Sequence, residues 1–163
     1  MYLMKIFRFF ILFTIINFGS LAVGSFLMSD GASSLWYKNL NRAFWEPPGW
    51  VFGFAWTVVM TCFSIYLALL FNIKQKTIII SFKSGLVKLY IIHLILNISW
   101  NYLFFNKHMI EIALLDIILL TILIFYFLFK YFPIIKFKSA LIIPYCMWLL
   151  IATSLNLYIV IHN

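Results

Sequence analysis

Five long apolar stretches constrain the fold of this chain more than any other feature. The first runs from Phe9 to Met28, which is 20 residues without a charge. A helix needs about 20 apolar residues to cross a hydrocarbon core of ~30 Å, and each stretch is about that long. We therefore predict an all-α integral membrane protein, a bundle of five transmembrane helices at about 6–28, 47–73, 87–106, 108–130 and 138–161.

The composition favours a membrane protein over a soluble one. Hydrophobic residues make up 66% of the chain and charged residues only 10%, too few to cover the surface of a soluble domain. Residues 1–163 are predicted to form one membrane domain, because no repeat or low-complexity segment interrupts them. We interpret the net charge of +8 as a sign that the protein contacts the head groups of a lipid bilayer and not nucleic acid.

The first stretch has an alternative interpretation. Lys5 and Arg8 precede it, and a positive start before an apolar run is also typical of a signal peptide. The run is longer than the usual apolar region of a signal peptide, which favours a retained helix. The small residues Ser20, Ala22 and Gly24 leave cleavage open as the alternative.

The basic residues predict how the chain is oriented. With five spans, the N-terminus, the second loop and the fourth loop share one side. Basic residues concentrate on the cytoplasmic side, so the N-terminus is predicted to be cytoplasmic in a bacterial inner membrane. That side holds nine basic residues: Lys5, Arg8, Lys74, Lys76, Lys83, Lys88, Lys130, Lys136 and Lys138. The other side holds three: Lys38, Arg42 and Lys107.

An aromatic segment from Trp36 to Trp56 joins the first two spans. It contains four of the six tryptophans, together with Pro47 and Pro48. Proline is well tolerated in the first turn of a helix. We therefore predict that the segment folds into the mouth of the bundle and then begins the second helix.

Polar residues in the third helix share one face. Asn97 lies four residues after His93, and Trp100 and Asn101 lie three and four residues after Asn97. Because polar groups are costly toward lipid, this face should point into the bundle. It either binds a ligand or holds the helices together by hydrogen bonds. His93 is also a candidate haem ligand, although a lone histidine is more often a packing residue.

Two further helices carry candidate site residues. In the fifth, Trp148, Ala152 and Asn156 follow at intervals of four, and the small central residue leaves room for a flat ligand. The alternative is an interfacial aromatic belt for Trp148 and helix contact for Ala152. In the fourth, Asp116 is a functional candidate because an acid within a span is costly. Its alternative role is a hydrogen bond to a neighbouring amide or tyrosine.

The sequence contains no grouping that supports ordinary enzyme chemistry. It has no His/Cys/Asp/Glu cluster with metal spacing, no phosphate-binding glycine loop and no Ser/His/Asp grouping with a common site. We predict no metal site and no required cofactor. The aromatic and amide stripes instead indicate a site for a large, flat, mostly apolar molecule.

These motifs resemble those of the tryptophan-rich sensory protein and translocator protein (TspO/MBR) family, over nearly the whole chain and with matching spacing. The loop matches the family pattern at Trp36, Tyr37, Leu40, Arg42, Trp45, Pro47, Pro48 and Trp56. The third helix matches it at Leu96, Asn97, Trp100, Phe104 and Phe105, and the fourth helix matches it at Asp116. The fifth helix matches it at Pro144, Tyr145, Trp148, Ala152, Thr153, Leu155 and Asn156. Two positions depart from the pattern: Ala43 replaces a proline and Ser154 a tyrosine.

The resemblance implies a single five-helix membrane domain, commonly a homodimer. Such a domain binds porphyrins, such as protoporphyrin IX and haem, and flat apolar molecules that include synthetic benzodiazepine-type ligands. It places the pocket under the first loop, at Tyr37, Trp56, Asn97, Trp100, Trp148 and Ala152, and we add His93, Asp116 and Asn156 as further candidates. Some bacterial members degrade protoporphyrin IX in light, and Trp56 and Trp148 occupy the positions implicated there.

Three functions are compatible with these features. The first, which we favour, is a tetrapyrrole-binding sensor or transporter. The second is a catalyst of light-dependent porphyrin degradation, which needs no acid/base pair because the bound porphyrin absorbs the photon and a nearby indole can react. The third is a membrane partner protein whose polar stripes are only structural.

Overall fold

The computed structural model describes residues 2–73 and 79–163, and this part of the chain is almost entirely helical. The described α-helices are α1 (Tyr2–Leu27), α2 (Leu35–Asn39), α3 (Gly49–Phe71), α4 (Ile79–Asn101), α5 (Ile110–Ile135) and α6 (Ile143–His162). α2 is a single short turn, and the other five are long. The all-α, five-helix fold predicted from the sequence is confirmed.

The length and composition of the long helices suit a bilayer. Four continuous helical stretches of the described chain are long and apolar enough to cross a membrane. The last of them, Ile110–His162, contains both α5 and α6. Five long helices therefore occupy four continuous stretches.

The helix bounds differ from the predicted ones mainly at the basic end of the bundle. α4 begins at Ile79 and not near 87, so Lys83 and Lys88 belong to its first turns. Lysine is a good helix former and its long side chain reaches water from a helix end, so a charge does not mark the helix boundary. The remainder of the predicted basic loop, with Lys74 and Lys76, lies outside the described residues.

The connection between α5 and α6 has a local cause. Pro133 lacks a backbone N–H, and α5 ends two residues later at Ile135. Lys136 then adopts a positive φ of 52°, which is uncommon for a residue other than glycine. A 3₁₀-helix, Lys136–Ile142, leads into α6, whose first turn contains Pro144.

The five long helices form a closed ring. α1 packs against α3 and α4, α5 packs against α4 and α6, and α6 returns to α3. Inside the ring, Asn17 of α1 donates a hydrogen bond to Ser64 of α3 at 2.9 Å, and Tyr90 of α4 donates to Asn17 at 2.7 Å. Three helices are thus joined by buried polar contacts, which is the structural role expected of such groups in a membrane.

The α1–α3 loop, the α4–α5 connection and the last turn of α6 lie at the same end of the bundle, called here the loop end. Trp36 of α2 stacks on His108 with 3.9 Å between the ring centroids. Asn41 of the loop donates a hydrogen bond to Asn163, just after α6, at 2.9 Å. These contacts fix the alternating up-and-down course of the long helices.

Candidate ligand cavity

A cavity of about 940 Å³ lies at the loop end. α1, α3, α6, the end of α4 and the α1–α3 loop all contribute to its wall. Its volume is near the upper end of the usual range for ligand pockets, so it can accept a large ligand. Its aromatic lining residues are Phe18, Tyr37, Phe52, Trp56, Trp100, Phe104 and Phe105.

The aromatic rings of the wall pack against one another. Trp100 and Phe104 are stacked, with centroids 5.2 Å apart and planes at 14°. Phe105 meets Phe104 edge-on at 4.9 Å, and Tyr37 lies 5.3 Å from Phe105. Aromatic pairs favour these offset and edge-on arrangements. The wall is therefore preformed, with its flat surfaces already oriented.

A π-helical turn places two consecutive phenylalanines on this wall. α4 continues into a π-helix over Tyr102–Asn106, and the N–H of Lys107 donates to the carbonyl of Tyr102 at 3.0 Å. A π turn is wider than an α turn and is frequent at functional sites. Both Phe104 and Phe105 line the cavity as a result.

Residues 40–48 form a lid over the cavity. The lid residues that line it are Arg42, Ala43, Glu46, Pro47 and Pro48. The two prolines were predicted in the first turn of the second helix, but α3 begins at Gly49 with Pro48 as its N-cap. Pro48 has a φ of −54° and a ψ of 146°, which is extended backbone, so the prolines stiffen the lid just before the helix.

The lid is fastened to α6 by hydrogen bonds. Besides its backbone bond to Asn163, Asn41 donates from its side chain to the carbonyl of His162 at 3.0 Å. The indole N–H of Trp45 donates to the hydroxyl of Ser154 at 3.2 Å. Ser154, which departs from the family pattern, therefore serves as a partner for the lid.

Tyr37, Arg42 and Glu46 form a polar triad at the mouth of the cavity. The Tyr37 hydroxyl donates to Glu46 Oε1 at 2.7 Å, and Arg42 Nη1 donates to the same oxygen at 3.0 Å. Burial, followed by the hydrogen bond to Glu46, raises the pKa of Tyr37 well above its usual value, so the hydroxyl stays protonated. The triad joins the lid to α2.

Part of the predicted site comes together at the cavity. Tyr37, Trp56, Trp100, Ala152 and Asn156 all line it. The indole N–H of Trp100 donates to Asn156 Oδ1 at 3.0 Å, so α4 and α6 are joined within the wall. Ala152 contributes only a methyl group, which leaves the α6 side of the cavity open.

His93 and Asn97 do not line the cavity. Both are buried in the core, where the Tyr145 hydroxyl accepts from Asn97 Nδ2 at 3.1 Å and lies 2.9 Å from His93 Nε2. These contacts agree with the helix-joining interpretation of this part of the stripe. They also leave the His93 ring without access to a ligand in the cavity.

Trp148 and Asp116 also lie outside the cavity lining. Trp148 is buried behind the wall, 5.3 Å from Phe52 and 6.4 Å from Trp56 between ring centroids. Its burial excludes the alternative of an interfacial belt position. Asp116 accepts a hydrogen bond from Ser99 at 2.7 Å between α5 and α4, so its partner is a serine hydroxyl and not the amide or tyrosine of the alternative interpretation.

Several lining residues were not selected from the sequence: Arg42, Glu46, Asn101, Phe104 and Phe105. The spacing of four between Arg42 and Glu46 was a usable signal, because opposite charges at that spacing often pair. Asn101 belonged to the predicted stripe without being assigned to the pocket. Phe104 and Phe105 depend on the π turn, which no sequence pattern indicated.

A ring of long apolar helices around a lid-covered aromatic cavity defines a class, the helical integral membrane proteins with an internal cavity at one membrane face. The sequence comparison narrows this class to one family. Residues 10–162 match the TspO/MBR family, and the chain belongs to it.

Relatives from three lineages cover most of the chain. The tryptophan-rich protein TspO of Chlorobaculum tepidum is 31% identical over 131 residues, which is 80% of this chain and 81% of the relative. The tryptophan-rich sensory protein of Cereibacter sphaeroides is 27% identical over 121 residues, 74% of this chain and 72% of the relative. The human translocator protein is 28% identical over 130 residues, which is 77% of this chain and 73% of the relative.

Proposed function

We propose that the protein binds a tetrapyrrole, protoporphyrin IX or haem, in the cavity under the lid and acts as a membrane sensor or transporter. The observation that carries the proposal is the aromatic cavity of about 940 Å³. Trp56, Trp100 and Phe104 contribute aromatic side chains to its wall. A tetrapyrrole is itself a large, flat and mostly apolar ring system, which stacks well on such surfaces.

Sensing or transport is favoured over ordinary catalysis. The names of the relatives describe a sensory protein and a translocator protein. The charged side chains on the described cavity wall, Arg42 and Glu46, pair with each other at 3.0 Å. A paired carboxylate is a poor general base, because proton transfer would break the ion pair.

The proposal extends to location and assembly. The nine-to-three distribution of basic residues supports a bacterial inner membrane location with a cytoplasmic N-terminus. Homodimer formation is proposed on the family resemblance. The outer face of α4 is available for it, because Ile91, Ile92 and Ile95 are 50%, 47% and 59% exposed.

Titration of the purified protein with protoporphyrin IX in darkness tests the proposal. Saturable binding is expected, and Ala152→Phe should weaken it by more than tenfold, about 1.4 kcal/mol, because the added ring occupies the open side of the cavity. Leu150→Phe is the matched control. It adds a ring on the same helix, where the side chain is 48% exposed toward lipid, and should bind like the parent.

Two outcomes would contradict the proposal. No saturable binding by the folded parent protein would favour the third function, a partner protein with structural polar stripes. Unchanged affinity in a folded Ala152→Phe protein would place the ligand outside this cavity. Size-exclusion chromatography of each variant establishes that it is folded.

Light-dependent porphyrin degradation is the second candidate, and the Trp56–Trp148 pair favours it. Trp56 lines the cavity, and Trp148 lies directly behind it at 6.4 Å. An excited porphyrin would take one electron from the Trp56 indole, leaving a porphyrin anion radical and an indole cation radical. Trp148 would then donate one electron to the Trp56 cation radical, which restores the Trp56 indole and leaves the cation radical on Trp148.

A further inference from the structure

The cavity wall carries one cationic side chain among the residues that the structure describes, and it is Arg42. The lysines of the described chain lie elsewhere, and the rest of the wall is aromatic, aliphatic, amide or hydroxyl apart from Glu46. Glu46 pairs with Arg42 at 3.0 Å, and the guanidinium is the group of the described wall whose charge attracts an anionic ligand group.

Arg42 has donors beyond the one that binds Glu46. A guanidinium has five N–H groups, and in the described structure Nη1 donates to Glu46 Oε1. The Arg42 side chain is 40% exposed, while that of Glu46 is 14% exposed. Glu46 already accepts two hydrogen bonds on the same oxygen, from Tyr37 and Arg42. Glu46 and the Tyr37 ring, whose centroid lies 5.1 Å from the guanidinium carbon, hold Arg42 in position, and Glu46 uses one of the five N–H groups.

The neutral polar groups of the wall offer less to an anion. Thr57 donates its hydroxyl proton to the carbonyl of Gly53 at 2.8 Å, within α3. Asn156 donates to the carbonyl of Ile110 at 3.1 Å, and its oxygen accepts from Trp100. Arg42 is thus the strongest anion-binding group that the cavity presents.

We propose that Arg42 binds a carboxylate of the ligand and makes the cavity selective for flat apolar molecules that bear a carboxylate at one edge. This inference rests on the proposed function and specifies its ligand class. The ring system lies against Trp56, Trp100 and Phe104, and the carboxylate reaches the mouth of the cavity. There the planar guanidinium can donate two parallel hydrogen bonds to it.

The test compares two ligands that differ only in this group. Protoporphyrin IX carries two carboxylates, and its dimethyl ester carries none. Both are titrated in darkness into the parent, Arg42→Gln and Arg42→Lys proteins, each in nanodiscs of neutral lipid. Arg42→Gln should weaken binding of the diacid at least about tenfold, as expected for hydrogen bonds to a charged group, and leave binding of the ester unchanged.

Lys38→Gln is the matched control. It removes one positive charge from the exposed surface of α2, in the same loop region but outside the cavity lining. It should change the affinity for neither ligand by more than about twofold, because exposed charges are strongly screened. Arg42→Lys keeps the charge but loses the planar fork, so its affinity for the diacid should be intermediate.

Each other outcome overturns the inference in a distinguishable way. Equal loss of diacid and ester binding in Arg42→Gln would show that Arg42 only supports the lid. Unchanged diacid binding would show that it has no contact with the ligand. If the parent binds the ester as tightly as the diacid, the cavity has no carboxylate selectivity and the proposed function still stands. If the parent binds neither, both proposals fail.

Discussion

Trp56 and Trp148 are the same residue type and belong to one aromatic cluster, but they occupy different positions. Trp56 contacts the cavity, whereas Trp148 is buried behind it and contacts Phe52 and Trp56 edge-on. Because only Trp56 lines the cavity, replacement of the two tryptophans should affect ligand binding differently. Replacement of Trp56 should alter ligand contact directly, and replacement of Trp148 should not.

We expect Trp148→Phe to bind protoporphyrin IX in darkness like the parent, and Trp56→Phe to bind it a few-fold more weakly, because phenylalanine retains most of the stacking surface. If the indoles take part in photochemistry, both variants should bleach bound porphyrin more slowly in light, since phenylalanine is much harder to oxidise. Dark affinity and illuminated decay are measured on the same samples at matched occupancy.

Trp50→Phe is the control for this pair. Trp50 is 73% exposed on the first turn of α3 and does not line the cavity. Its replacement should affect neither binding nor bleaching. Equal decay in the parent and in the Trp56 and Trp148 variants would remove the photochemical role and leave binding alone.

At the scale of elements, hydrogen bonds join the lid to the end of α6. Asn163 links to Asn41 through two hydrogen bonds, accepting from its N–H at 2.9 Å and donating to its carbonyl at 3.3 Å. An exposed hydrogen bond contributes on the order of 1 kcal/mol, so this latch is strong enough to hold the lid yet weak enough to open thermally. Opening of the lid would expose the cavity at the loop end.

Asn163→Ala should therefore speed ligand exchange. Loss of two hydrogen bonds should raise the dissociation rate of protoporphyrin IX several-fold to about tenfold, with a smaller change in affinity because association is also faster. Stopped-flow displacement by excess haem measures the rate. Asn39→Ala, at the exposed end of α2, removes a similar side chain outside the latch and should exchange like the parent. An unchanged rate in Asn163→Ala would mean that the lid does not control exchange.

At the scale of the whole molecule, the two ends of the bundle differ in charge. Three basic residues, Lys38, Arg42 and Lys107, belong to the loop end. The described basic residues toward the opposite end are Lys5, Arg8, Lys83, Lys88, Lys130, Lys136 and Lys138. The basic excess at that opposite end favours its retention in the cytoplasm, where the negative surface of the inner leaflet attracts it.

Cysteine labelling tests this orientation in intact bacterial cells. In a background that lacks Cys62 and Cys146, an impermeant thiol reagent should label Lys38→Cys and fail to label Lys136→Cys. Both positions should be labelled after the membrane is permeabilised, which controls for reactivity. Labelling of Lys136→Cys alone in intact cells would show that the orientation is the reverse of the predicted one.

The helices and their inward faces follow from the sequence. Apolar runs about as long as a bilayer is thick cannot fold otherwise in lipid, because every backbone polar group must be paired within its own helix. Polar side chains are also costly in contact with lipid, so two stripes face the inside of the ring. One stripe is His93, Asn97 and Trp100, and the other is Trp148, Ala152 and Asn156. Both predictions hold, since they depend only on local physics.

Only the tertiary structure decides which inward residue meets the cavity and which meets the core. Along α4 the same face serves both, because His93 and Asn97 bond to Tyr145 from α6 while Trp100 lies a turn further on, in the wall. Helical periodicity gives the direction of a side chain but not what a distant helix places opposite it. The lid latch between Asn41 and Asn163 likewise arises from a contact between segments far apart in the chain. The π turn under Phe104 and the pairing of Arg42 with Glu46 are local, but their place in the cavity wall depends on the helices packed around them.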